Sequence, residues 1–406
     1  MCCPYKVLFL HSMQITIKEL LSARTREEIL ATLDYFNALP RRQGRKEDLV
    51  KALIAYLSSD PKVWLSQLME CDLRLLKRLC DAGPDNSVDI IPADFPTVVE
   101  VLHFVDSSKS DREDMLRVSI PRAFYDLISK EIDSVISRKE EDGSFHLEHL
   151  ILGAVNIYGV VPLRTFVDSI FTDFETIEEV RTFACSVARN PLMRLFQEEY
   201  MGESYMISPD VENMDELMKK RKKYHKYSRR YAKSSLDMAI SCGLDSPFCF
   251  FGRDTEEGKA LLGMLEALGY VGEDLTYTAH LVWINSQYEP DMRNLELLLS
   301  PLTEAAADIV DYDQFVQYAQ IILNYANSAP KWLLKGHSAK ESGQMLYYLP
   351  ENMFSELFDY SDVLEGDEEV LRLFDSVNKV RPVAPDAPCP CGSGLSYRLC
   401  HGRHFS

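Results

Sequence analysis

The sequence predicts a mainly α-helical, multi-domain protein with one small β-hairpin unit and a compact cysteine-rich segment near residue 400. Three observations predict it. Apolar residues recur at spacings of three and four through most of the 406 residues. Short breaks bearing glycine, proline and asparagine divide those periodic stretches. Residues 387–406 follow neither pattern and gather cysteine, histidine, glycine and proline. A chain of this length with 46% hydrophobic residues is globular and suits roughly two to four domains. Its net charge of −19 disfavours unguided attraction to nucleic acid or anionic lipid, which leaves that role to local basic clusters. No apolar run approaches the roughly 18 residues of a membrane span, so no membrane partner is expected. Seven cysteines (Cys2, Cys3, Cys71, Cys80, Cys185, Cys242 and Cys249) lack framework spacing, which suits a reducing cytoplasm.

Residues 1–12 carry one short apolar run, Val7 to Leu10, and no small-residue cleavage site. They read as a leader outside the folded protein, with Met13 as the start, and not as a signal peptide. Residues 13–81 form the first helical domain. Over 17–58 the spacing predicts two helices, with Ile29, Leu30, Leu33 and Phe36 in one core stripe and Leu49, Val50, Leu53, Ile54 and Leu57 in the other. Between them lies Pro40-Arg41-Arg42-Gln43-Gly44-Arg45-Lys46, followed by Glu47-Asp48-Leu49. This glycine, lysine and acidic-leucine order resembles the helix–turn–helix modules of the SAP and Rho-N families. The resemblance implies DNA or RNA binding, with Arg41, Arg42, Arg45, Lys46 and Lys51 on phosphates. The alternative is a solvated basic turn. Further helices follow from Pro61 to Cys80, with Trp64, Leu68, Leu73, Leu76 and Leu79 as core.

Ala82 to Asn86 reads as a boundary, and 86–210 as the second helical domain. Residues 95–137 predict two or three helices interrupted by the polar run Asp106 to Asp111. From 145 to 209 the order is helix, short strand at Gly159-Val160-Val161, two helices, then a hairpin of 192–199 and 205–207 turning at Gly202. That order is winged-helix-like. Its third helix mixes Glu178, Glu179, Arg181 and Arg189, a poor phosphate surface, which favours packing or protein contact over DNA reading. His146 and His149 stand three apart around Glu148, whereas the zincin arrangement needs histidines four apart, so these are helix-start residues.

Residues 211–240 read as a basic linker helix. Its run from Lys219 to Lys233 includes the candidate phosphate contacts Lys219, Lys220, Lys223, Arg229 and Arg230. Tyr224, Tyr227 and Tyr231 are spaced to share one helical face, which suits base stacking; a solvated linker with docked tyrosines is the alternative. Residues 241–345 form another helical domain. In it, Phe248 to Gly252 reads as a strand leading to a glycine-rich loop. Five residues separate Gly252 from Gly258, two of them glutamates, and Ala260 follows Lys259, so no nucleotide-binding loop is expected. Ala329 to Ser338 leaves this domain as a loop, and its stretch Trp332-Leu333-Leu334-Lys335-Gly336-His337 resembles a segment of bacterial and phage SEC-C proteins. Residues 346–386 are an acidic segment, with nine carboxylates against one arginine over 351–375, and a proline-rich tether over 380–388.

The remaining residues, 387–406, space Cys389, Cys391, Cys400 and His401 as C-x-C-x8-C-H. Three thiolates and an imidazole make a full tetrahedral set for Zn2+. Gly392 and Gly394 let the chain turn sharply, so that backbone N–H groups face the sulfurs. Cys389 to Gly394 and Cys400 to Gly402 resemble the SEC-C motif found at the tail of the SecA translocase, with Tyr397-Arg398 as its aromatic–basic pair. In that family the knuckle meets the SecB chaperone. Leu395 and Ser396 replace the basic residues usual there, which puts that particular partner in doubt. The leading expectation is a non-catalytic zinc-binding adaptor whose knuckle docks on a protein or ribosome-like surface. The second is a DNA- or RNA-binding regulator using the two basic clusters. A hydrolase or nuclease comes third. It has no triad or paired-carboxylate spacing behind it, and four protein ligands leave zinc no position for water.

Overall fold

Helix starts are written into this chain as threonine–glutamate pairs. Thr16 with Glu19 opens α1 (Ile17–Ala23), and Thr25 with Glu28 opens α2 (Arg26–Tyr35). In each pair the threonine oxygen accepts from the glutamate N–H while the glutamate accepts from the threonine N–H. The second pair breaks the periodicity at Arg24. Residues 17–58 therefore form three helices and not two, the third being α3 (Lys46–Ser59). The computed structural model describes residues 16–41, 44–84, 86–90, 104–110, 115–190, 192–225, 228–289, 292–305, 309, 312–342 and 347. The expected leader, most of the acidic segment, the tether and the knuckle lie outside the described residues.

α4 (Pro61–Leu65) and α5 (Glu70–Ala82) complete the first group, and Trp64, Leu68, Leu73, Leu76 and Leu79 are all fully buried. Beyond the turn at Gly83 come β1 (Ser87–Ile90), β2 (Asp106–Lys109) and β3 (Leu116–Ser119), an antiparallel sheet with β3 in the middle. The polar run at Asp106 is thus an edge strand and not a helix break. All four residues of β2 are exposed, so its backbone pairing to β3 (Ser107 opposite Val118) holds it, in place of a buried face. α6 (Arg122–Ile128) and α7 (Ile132–Glu141) follow. A line of aromatic rings, Phe36 to Trp64 at 6.0 Å, Trp64 to Phe104 at 5.3 Å and Phe104 to Phe124 at 4.9 Å, carries packing from the N-terminal helices to α6.

α8 (Ser144–Tyr158) is buried at every position from Leu150 to Tyr158, the mark of a central helix. Next are β4 (Val160–Pro162), α9 (Leu163–Asp168), α10 (Ile177–Arg189), α11 (Leu192–Phe196), β5 (Gln197–Tyr200) and β6 (Glu203–Ile207). Here β6 is central: Val160 pairs with Ile207 and Glu198 with Tyr205. The hairpin turns at Met201–Gly202, both at positive φ. Its first arm starts at Gln197 and not at Leu192. Asn190 caps a helical turn there by accepting from the Leu192 N–H at 2.9 Å, and Leu192 and Met193 bury.

The rest is helical: α12 (Met214–Tyr224), α13 (Leu236–Gly243), α14 (Glu256–Ala267), α15 (Glu273–Asn285), α16 (Met292–Glu304), α17 (Tyr312–Ser328) and a 3-10 turn at Trp332–Leu334. In place of the expected single helix over 211–240 there are two helices, and residues 228–235 ahead of the second are non-helical. Phe248 to Gly252 is a turn and not a strand. The Phe250 N–H donates to Cys242 O and the Cys249 carbonyl meets His280 Nδ1 at 2.8 Å, which leaves no ladder for a partner strand. α8 and α13 cross in backbone contact. A Cβ on Gly153 would sit 1.8 Å from the Ala239 carbonyl oxygen, and one on Gly243 would sit 2.1 Å from that of His149. No described helix is long and apolar enough to cross a membrane.

Candidate functional site

α12 carries the densest positive charge. Asn213 caps it by accepting from the Glu216 N–H at 3.0 Å, and Asp215 and Glu216 sit at its start with Lys222 and Lys223 at its end, matching the helix dipole. Its inward stripe is Leu217, Arg221 and Tyr224, spaced four and three. Arg221 is buried, and its guanidinium donates to three backbone carbonyls: Trp332 O at 2.8 Å from Nε, Val160 O at 2.7 Å from Nη1 and Tyr158 O at 2.7 Å from Nη2. Nη1 also meets the Tyr231 hydroxyl at 3.2 Å. Burial lowers the Arg221 pKa, and Tyr231 opposes the shift. This cation is a structural clamp between α12, the α8–β4 junction and the Trp332 turn. Trp332 in turn lies flat on Gly159 (φ 66°), where a Cβ would be 2.5 Å from the indole, and donates through Nε1 to Asn156 O at 2.6 Å.

The other cations of the run divide into two sets. Lys220 pairs with Glu216 at 2.7 Å and Glu289 at 3.7 Å, and Lys223 pairs with Glu289 at 2.9 Å. Burial raises the Glu289 carboxyl pKa, but Lys223, Tyr224 and Lys220 outweigh that and hold it below the ordinary carboxylate range. The Lys233 ammonium donates to Ser169 O. Lys219, Lys222, Arg229 and Arg230 are exposed. The tyrosines do not share one helical face. α12 stops at Tyr224, whose hydroxyl meets Glu289 at 3.2 Å, while Tyr231 lies in non-helical chain with its hydroxyl on Val160 O at 3.3 Å. Hydrogen bonds to the 331–338 segment override helix propensity there. The Ala232 N–H donates to Lys335 O at 3.0 Å and the Ser228 hydroxyl to Leu334 O at 2.6 Å. Tyr227 lies outside the described residues.

Beside α12 opens a cavity of about 490 Å³, walled by Leu217, Ile284, Leu297, Trp332 and Leu333, with Lys220 on its rim. Behind it Lys331, 1% exposed, donates to Ser286 O and Oγ, both at 2.9 Å, and its ammonium lies 5.3 Å from the Tyr347 ring centre. Burial pushes this lysine well below its ordinary pKa. The expected exit loop at 329–338 is thus an internal turn, with Trp332, Leu333 and Leu334 all buried.

In the N-terminal basic turn, Arg41, Arg45 and Lys51 are exposed, and Lys46 is partly spent: its ammonium donates to Ser22 O at 2.7 Å. Arg42 lies outside the described residues. At the start of α8, Glu148 is buried in an ion pair with Lys139, which also donates to Leu68 O at 2.6 Å, and His149 Nε2 meets Glu70 at 2.8 Å. The helix-start residues therefore fasten α8 to α5 and α7, a role that spacing alone did not reveal. Arg221 did leave a signal, because it lies four residues from Leu217 and three from Tyr224. Lys331 left none.

Cys389, Cys391, Cys400 and His401 lie outside the described residues. Among the described residues, no three His, Cys, Asp or Glu side chains cluster in a way that would hold a metal ion. The family model for the SEC-C motif matches residues 387–403. The chain carries a SEC-C motif. The match covers this short stretch alone, and neither the curated proteins nor the solved structures contain a significant match to the chain.

Proposed function

We propose that this chain is a non-catalytic zinc-binding adaptor: a helical body that presents a SEC-C knuckle to a protein or ribosome-like partner. The observation that carries the reading is the SEC-C match over 387–403 on a segment that holds four metal-binding side chains in C-x-C-x8-C-H order. The donor set fits zinc. Three thiolates and one imidazole complete a tetrahedron, and a closed tetrahedron supports structure and not hydrolysis. Cys389, Cys391, Cys400 and His401 would hold the ion, and Gly392 and Gly394 would let N–H groups face the thiolates. The experiment is zinc content per chain, with partner recovery measured in parallel, for the native protein and for Cys400→Ser. Loss of zinc together with the partner supports the reading; zinc retained in the variant sinks it.

The body has a second candidate binding element in residues 144–207, which we propose to be a winged-helix unit. Its support is the order helix, strand, two helices, a five-residue helix and hairpin, with β4 paired to the second arm of the hairpin. The alternative function, a DNA- or RNA-binding regulator, is supported by the exposure of Lys219, Arg229, Arg230, Arg41, Arg45 and Lys51. Pairing of Lys220 and Lys223 to carboxylates and of Lys46 to a carbonyl leaves this reading a smaller basic surface than composition suggests.

A further inference from the structure

A cleft of about 850 Å³ opens where α8, α10 and α13 begin. Its floor is apolar: Leu147, Leu236 and the ring pair Phe174–Phe183, whose centroids are 5.0 Å apart. Its rim is acidic, with Asp142, Asp173, Glu178 and Glu179. Three of these carboxylates accept from N–H groups at the helix starts. Asp142 takes the Ser144 N–H, Glu179 the Thr176 N–H and Asp173 the Leu236 N–H, each at 2.9 Å. One oxygen of each is used in this way, and the second has no described partner. Hydrogen bonds from Ser144 and Thr176 hold the Asp142 and Glu179 carboxyls below their ordinary pKa values, so both are charged at neutral pH. Beside the rim stands Ile177, 74% exposed in the first turn of α10.

We propose that this cleft docks a short cationic segment of a partner protein, with an aliphatic or aromatic side chain on the floor and flanking lysines or arginines on the rim. Charge complementarity selects that occupant. No described lysine or arginine lines the cleft. Arg181 reaches Glu178 only at 3.8 Å with both side chains largely exposed, a weak pair. Three helix starts supply roughly half a positive charge each, about 1.5 in all, against four carboxylates, so the rim stays negative by about 2.5 charges. The cavity beside α12 differs, because Lys220 and Lys223 already neutralise Glu216 and Glu289 there. A cation on the rim would meet the oxygens left over from capping, so docking breaks no helix start. The volume lies within the roughly 300–1,000 Å³ of ligand pockets, which suits a few side chains of a peptide. The proposal needs neither the knuckle nor its zinc.

Fluorescence anisotropy of the full-length protein with a dye-labelled probe peptide, two lysines on each side of a central Leu-Phe pair, tests it. Saturable binding is expected. It should weaken at least about tenfold when serines replace the Leu-Phe pair, and vanish when glutamates replace the lysines. Asp142→Asn with Asp173→Asn and Glu179→Gln should also weaken it about tenfold, through three lost charge contacts. Asparagine and glutamine still accept the capping bonds, so the fold is kept, which a far-UV circular dichroism spectrum checks. Ser186→Trp fills the cleft from an exposed position and should block binding without changing a charge. Glu27→Gln with Glu47→Gln and Glu296→Gln removes three exposed charges elsewhere and should change the affinity less than about twofold. Equal weakening by the two triple variants would mean diffuse attraction to an acidic protein and would overturn the proposal. Absence of saturable binding would overturn it, as would binding that survives Ser186→Trp or the loss of the Leu-Phe pair. A dimer that the cleft triple variant dissociates in sedimentation would assign the cleft to a second copy, with the same consequence.

Discussion

Arg221 Nε meets the carbonyl oxygen of Trp332 at 2.8 Å across 111 residues of sequence. The same guanidinium caps the Tyr158 and Val160 carbonyls, so one side chain satisfies three buried acceptors on two segments far apart in the sequence. Arg221→Met should therefore strand the Trp332 and Tyr158 carbonyls and leave Val160 O only the Tyr231 hydroxyl, and at about 1–3 kcal/mol for each lost partner with partial relaxation the cost should be about 3–5 kcal/mol. Arg221→Lys should recover little of it, because an ammonium lacks the planar fork that serves divergent carbonyls. Denaturant midpoints with an unchanged slope would report the loss. A variant of native stability would remove Arg221 as the clamp.

The α8–α13 crossing makes a sharper steric claim. Gly153→Ala places a Cβ 1.8 Å from the Ala239 carbonyl oxygen, which backbone can relieve only by separating the helices. The expected loss is about 1–3 kcal/mol or more. Gly263 is the internal control. It lies in α14, nothing stands within 4 Å of its added Cβ, and Gly263→Ala should stabilise by about 0.5–1 kcal/mol. Thermal melts of the two variants should shift in opposite directions.

The contrast between those glycines shows what the sequence made legible. Apolar spacing picked out Leu33, Leu53, Trp64, Leu76 and Leu79 as core, and all are buried, since a helix that loses such a stripe loses its reason to pack. The turn at Gly202 was legible because that residue sits at positive φ in the hairpin. The strand at Asp106 was not, because cross-strand pairing to Val118 holds it and no pattern of its own does. Nor was the split of the basic run. Whether a lysine faces water or a carboxylate such as Glu289 depends on contacts 66 residues away. Cys389, Cys391, Cys400 and His401 could be proposed as a set because spacing alone relates them.

Glu289 gives a pH prediction. Its pKa in the folded protein lies below the ordinary value, so its contribution to stability is complete above about pH 4.3 and is lost as pH falls through the folded value. Protection of the α12 amides from exchange, taken relative to the intrinsic rate at each pH, should therefore fall below that range, and Glu289→Gln should make that protection nearly independent of pH there. An unchanged acid response in Glu289→Gln would place the responsible carboxylate elsewhere.

Nucleic-acid binding has its own signature. If Lys219, Arg229 and Arg230 contact phosphates, log affinity for a single-stranded oligonucleotide should fall linearly with log salt, at about 0.7 per contact. Reversing all three charges should reduce the slope by about two and weaken binding at least tenfold at low salt. Because these side chains are exposed, stability should stay within about 0.5 kcal/mol of the native protein. Binding that survives the reversal with its slope intact would acquit α12 and the 228–235 segment.

The knuckle prediction turns on how few residues it has. Residues 387–402 are too few for a hydrophobic core, so under the zinc reading proposed above metal binding supplies their folding free energy. On that reading, stripping zinc should remove local order while the helical body, clamped by Arg221, keeps its stability. Cys400→Ser removes one thiolate and should lower zinc from one per chain towards zero, with the main melting temperature moving by less than about 2 °C, since contacts of the body are untouched. Leu395→Lys lies between the proposed ligands and introduces a basic residue there. It should keep the metal and change which partner is recovered. Zinc retained in Cys400→Ser would refute the ligand set. A partner recovered at native yield by the metal-free variant would confine the knuckle to a role apart from docking.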